Sequence, residues 1–161
     1  MAQFASYCLV TVTDQKALDA IHESESSKGS FRDRHPWLVA RELLELANTN
    51  DEIVPLIFVV EPEMKLTDWA FVSDIDVATY SGQAYETRCS FERLRPVNPI
   101  FEELNSLVLL PSREQIRRET LEPIRKYRQH LDELHVFPYA ICETPAFVYT
   151  TSEIGSTNQS V

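Results

Sequence analysis

Glycine is scarce in this chain: Gly29, Gly82 and Gly155 are the only three in 161 residues. Phosphate-cradling loops need closely spaced glycines, because the backbone itself must approach the phosphate. Nucleotide hydrolysis through such a loop is therefore excluded, as is dinucleotide binding through a glycine-rich strand-to-helix turn. Cysteine is equally sparse. Cys8, Cys89 and Cys142 are odd in number and far apart, which argues against a disulfide framework. Each lies in an apolar or strand-like context, so buried free thiols are expected. Long apolar runs are missing too. Ile53–Val60 and Leu107–Pro111 fall well short of the roughly 18 residues of a spanning helix. The opening MAQFASYCLVTVTDQK has no basic region before its apolar run and reads as a strand, not a leader. No membrane partner and a cytoplasmic location are the expectations.

What is present fits one folded domain. Apolar residues make up 43% and charged residues 25%, a balance typical of globular chains. The net charge of −10 opposes nonspecific polyanion binding, but it is unevenly spread. Arg88 to Arg128 holds nine basic and six acidic residues, and the remainder six basic and nineteen acidic.

The patterning predicts an α+β order. Ser6–Thr13 reads as a strand, and Asp14 as the cap of a short helix with Ala17, Leu18 and Ile21 on one face. Ser24–Ser30 reads as a polar loop, and Phe31–Pro36 as the lead into a second helix, with Pro36 in its first turn. Ile53–Val60 reads as a strand whose Pro55 calls for an edge or a bulge. Asp68–Tyr80 and Tyr85–Phe91 read as a hairpin, with Trp69, Phe71, Ser73, Ile75 and Val77 on one face. Leu94–Phe101 must be extended, because each of its prolines disfavours helix before it. Glu102–Leu107 reads as one helical turn. Ser112 and Gln115 form a capping box for a helix whose apolar stripe runs from Ile116 to Leu134, kinked at Pro123. Phe137–Tyr149 reads as a last strand pair or an extended segment. Residues 1–150 are expected to form a single domain and 151–161 a flexible tail.

Candidate chemistry is thin. His130 and His135 do not share a helical face, and no ligand spacing points to a metal; no cofactor is expected. His35 reads as a cap or surface residue, or as a base in a cleft. Asp74 and Asp76 share a strand face, which is the solvent side of an amphipathic strand or a carboxylate pair. The predicted helix bearing Arg113, Arg117, Arg118, Arg125, Lys126 and Arg128 is either a salt-bridged solvated face or a phosphate-contacting one.

The segment IVPLIFVVEPEMKLTDWAFVSDIDV, followed by YETRCSFERLRPV, carries the one resemblance in the chain. Over residues 53–97 it resembles the PUA-like group of small β-barrels, which includes EVE and ASCH domains. The resemblance implies a small, mainly antiparallel, curved sheet or pseudobarrel flanked by three to four helices. It also implies a pocket for a base of RNA or a modified base of DNA. The pocket residues would be Trp69, Thr67 and Asp68, with Trp37 and Tyr85 as further ligand-binding candidates. Arg32, Arg34, Arg88, Arg93, Arg95 and Arg117 would meet phosphate. The leading expectation is a noncatalytic nucleic-acid recognition module. A protein-interaction module and an enzyme with an unrecognised site are the alternatives.

Overall fold

Strand-forming sequence fills the middle of the chain, and a sheet is built there. The computed structural model describes residues 3–23, 28–80, 84–97, 103–111 and 128–149. In chain order the elements are β1 (Gln3–Phe4), β2 (Tyr7–Asp14), α1 (Gln15–Glu23), β3 (Lys28–Asp33), α2 (Leu38–Thr49), β4 (Glu52–Ile53), β5 (Pro55–Glu61), β6 (Lys65–Tyr80), β7 (Ala84–Pro96) and β8 (Ala140–Glu143). Leu104–Ser106 forms a short 3-10 turn, and residues 146–149 are helical. The fold is mixed α+β.

Six strands form one open sheet in the order β3-β7-β6-β5-β2-β8, and β1 pairs separately with β4. The β6–β7 hairpin is antiparallel, as its alternation predicts. β2 and β5 run parallel, because a crossover through α1, β3 and α2 separates them. Pro55 sits at the first residue of β5, a central strand. The expectation of an edge or a bulge at Pro55 is corrected: a strand's first position also tolerates proline.

The sheet curls without closing. Phe31 on β3 and Phe58 on β5 are three strands apart, which in a flat sheet is roughly 14 Å at standard spacing. Their ring centroids lie 6.0 Å apart. Two bulges in the β6–β7 ladder, between Trp69 and Phe71 and between Val72 and Asp74, break the period of two. The second, whose extra residue is in β6, also overturns the single-face reading of that strand. Trp69 and Phe71 belong to one core, and Ile75 belongs to the other.

Each face of the sheet carries a core. On one face Leu18 of α1 and Ala40, Leu44 and Ala47 of α2 pack with Leu56, Phe58, Cys89 and Phe91. On the other, Ile57, Val59, Leu66 and Trp69 pack beneath Leu104, Leu107, Leu131, Val136 and Phe147. Asp14 caps α1 by accepting from Ala17 N–H at 2.7 Å, as expected.

Other expectations are corrected. Lys28–Asp33 is a strand, antiparallel to β7. Lys28, Ser30 and Arg32 face out, and Gly29, Phe31 and Asp33 face in, so the short alternation is hidden by a breaker-rich composition. Pro36 precedes the α2 N-cap residue, Trp37. The capping box and the residues up to 127 lie outside the described residues. Beyond them the predicted helix does not continue: His130 bridges to Val108, Leu131 N–H donates to Leu107 C=O, and Leu134 is 87% exposed. Those tertiary pairings override helical spacing. Of the predicted last strand pair, only Ala140–Glu143 is a strand.

Gly29 is required by packing. A Cβ there would come within 2.8 Å of the Phe91 ring and 3.2 Å of Ile21. Gly29→Ala is expected to cost about 1–3 kcal/mol through overpacking, read as a lower urea midpoint with unchanged slope.

Candidate functional site: the open seam of the sheet

Among the described residues β3 is an edge strand, with no strand on its outer side. β2 outruns its neighbour β8, which pairs only with Tyr7 to Val10. Thr11–Asp14 thus lack a strand on that side among the described residues. The curl brings these two open edges to one cleft of about 760 Å³. Its walls are Thr11–Asp14 of β2, Ala17, Ala20 and Ile21 of α1, and the whole of β3. Phe58 lies in its lining, and Glu61, His35, Phe137 and Pro138 complete it. Thr11 ties one rim together, its hydroxyl donating to Pro138 C=O at 3.1 Å.

The lining mixes chemistries. Phe31 and Phe137 are aromatic, and Phe137 is 58% exposed. Lys28 and Arg32 are cationic; Asp14, Asp33 and Glu61 are carboxylates. The Arg32 guanidinium lies 3.6 Å from Glu86.

A rigid corner follows β3. Asp33 accepts from Trp37 Nε1–H at 2.6 Å with one oxygen, and from Arg34 N–H at 2.8 Å with the other, which also lies 3.1 Å from His35 Nδ1. The buried Thr87 hydroxyl donates to His35 C=O at 2.6 Å and accepts from Trp37 N–H at 3.1 Å. Thr87→Val strands both backbone groups. We expect a loss of about 1–3 kcal/mol, measured by chemical denaturation.

The structure brings only part of the predicted site together. Arg32 and His35 reach the cleft. Trp69 does not: it is 0% exposed, within the core, and its Nε1 has no hydrogen-bond partner among the described residues. As a pocket wall it is therefore corrected, because its whole ring is needed to fill that core. Thr67 Oγ1 is likewise buried without a partner, and its backbone C=O accepts from Val97 N–H. Asp68 is buried, with its carboxylate 3.3 Å from His22 Nε2. Trp37 is buried under Tyr139 at 4.4 Å, which removes it as a ligand contact. Tyr85 is partly exposed near the far end of the hairpin and does not line the cleft.

Among the arginines, Arg88 stands opposite Arg32 in register, with Asp76 opposite it on the other side. Arg93 lies 5.5 Å from the Phe71 ring centroid, and Arg95 lies 5.4 Å from that of Trp69. Burial, then the nearby Arg93 charge, lowers the Arg95 pKa. Both therefore lid the aromatic core. Arg34 follows β3, and Arg117 lies outside the described residues. Asp74 and Asp76 are exposed, as the solvent-side reading expects. Among the described residues no cluster of three metal-ligating side chains occurs.

Sequence reading missed Thr11–Asp14, Lys28–Phe31 and Phe137. The Asp14 cap was the available signal, since it marks where a strand gives way to a helix.

The molecule thus belongs to the mixed α+β proteins with a curled open sheet and a cleft at its seam. No family model matches the chain, and no curated protein or solved structure matches it significantly. Among the described residues no helix is long and apolar enough to cross a membrane.

Proposed function

We propose that the protein is a recognition module for nucleic acid, and that it holds a base, with a modified base as one candidate, in the cleft between α1 and β3. The observation that carries this reading is the cleft's lining: the aromatic Phe31 and Phe137 stand beside the cationic Lys28 and Arg32. Aromatic faces stack on a base, and cations meet its phosphates. Asp14 and Glu61 supply acceptors for a base edge. The sheet is curled and mainly antiparallel but open, and the pocket of this reading lies at the seam instead of at Trp69.

The acidic total makes the expected binding specific and weak in its electrostatic part. Fluorescence anisotropy against short RNA, single-stranded DNA and duplexes with and without modified bases tests it. Binding with a base preference, weakened about tenfold or more by Phe31→Ala (stacking contributes about 1–3 kcal/mol per base), supports the reading. Binding no tighter than to an inert polyanion sinks it.

A protein-interaction module is the second reading, and the position of β3 at the edge of the sheet among the described residues favours it. An extended peptide adds to such an edge through backbone hydrogen bonds. A Ser30→Pro variant that abolishes capture of a defined peptide but spares base binding would separate the two.

A further inference from the structure

We propose that the cleft also cuts RNA, with His35 as a general base on a ribose 2′-hydroxyl. This rests on the nucleic-acid reading above and adds an activity to it. His35 lines the cleft, and its Nδ1 lies 3.1 Å from an Asp33 carboxylate oxygen. Giving Nδ1–H to that carboxylate leaves Nε2 as the proton acceptor. The carboxylate is fixed in turn by Trp37 Nε1–H at 2.6 Å, and Trp37 is wholly buried. Thr87 fixes the backbone at both His35 and Trp37. An oriented base, a third group holding it and a cleft that the base lines are the parts that general-base catalysis needs.

The other described histidines lack that combination. His22 is turned to Asp68, and His130 to the Asn105 carbonyl. His135 shares its Nδ1 contact with Asp132 but does not line the cleft. It is an internal control: the same kind of pair without the cleft.

RNA carries its own nucleophile, so one positioned base can start the reaction. His35 Nε2 takes the 2′-hydroxyl proton, and the 2′-oxygen bonds to the adjacent phosphorus. The bond from phosphorus to the 5′-oxygen breaks, and that oxygen takes the proton back from the imidazolium. A 2′,3′-cyclic phosphate and a free 5′-hydroxyl result, and no oxidant, reductant or co-reactant is consumed. Arg32 also lines the cleft and, although it lies 3.6 Å from Glu86, is a cation within reach of the same cleft for the negative charge that the phosphorane develops.

The test uses the full chain with a short end-labelled single-stranded RNA in chelator, with binding read by anisotropy in the same samples. We expect cyclic-phosphate ends, and none when the nucleotide at the cut carries a 2′-deoxyribose. His35→Gln should slow cleavage by about 10²–10⁴-fold, and His135→Gln should cut at the wild-type rate. Asp33→Asn, a positioning change, should lower kcat while KM holds, and its thermal melt reports whether the fold is kept. RNA that is bound but stays intact overturns this inference alone. Cleavage that survives His35→Gln overturns the assignment of the base. RNA that does not bind overturns the recognition reading as well.

Discussion

Trp69→Ala is expected to cost about 3–5 kcal/mol of folding free energy. The indole is 0% exposed. It meets Phe4 at 5.9 Å and Phe71 at 5.4 Å between ring centroids, and Arg95 covers it. Truncation removes the transfer energy of the ring and leaves a cavity that the sheet behind it cannot collapse into. Trp69→Phe should cost clearly less, because it keeps an aromatic ring and removes an Nε1–H that has no partner among the described residues. Urea denaturation reads both. The opposite pattern, intact stability with lost ligand binding in Trp69→Ala, would return this residue to a pocket role.

Alkaline destabilisation is the second large effect. Burial pushes the thiols of Cys89 and Cys142 up to about 12 and that of Cys8 well above its ordinary value. Asp74 adds to the shift at Cys89, and Glu143 to that at Cys142. In the unfolded chain these thiols ionise near pH 9, while in the fold they stay protonated. A folded pKa above the unfolded one gives stability that is full below the unfolded value and is lost as pH climbs toward the folded value. Stability should therefore fall from about pH 9 toward about 12, by up to about 1.4 kcal/mol per pH unit for each thiol. Denaturation midpoints measured across that range should drop steeply, and Cys→Ala variants that still fold should flatten the slope. A thiol reagent at about pH 8 should label none of the three until the protein unfolds. Rapid native labelling of any of them would contradict their burial.

How much was legible in the sequence follows from the range of the forces involved. The β6–β7 hairpin, the strand before α1, the Asp14 cap and the buried cysteines are set by near neighbours, and local pattern sufficed for them. β3 was lost because KGSFRD looks like a loop, and only its partner β7 and the Phe91 ring against Gly29 make it a strand. The face of Ile75 was misassigned because a bulge is a tertiary event that leaves no mark in alternation. Trp69 drew attention as a large aromatic on a strand, but one sequence does not say which face of a two-sided sheet is covered. The cleft needed the curl, which joins Thr11 to Phe31 and Phe137 across distant parts of the chain. Only Arg32 and His35 carried its chemistry visibly.

The central claim is that recognition takes place at the seam between α1 and β3. An amide chemical-shift titration of the labelled protein with a short single-stranded RNA tests it most directly. The account predicts perturbations gathered at Thr11–Asp14, Ile21 and Gly29–Arg32, with the amides around Trp69 and Arg95 unmoved. Perturbations centred on Trp69, Arg93 and Arg95 with a silent seam would contradict it.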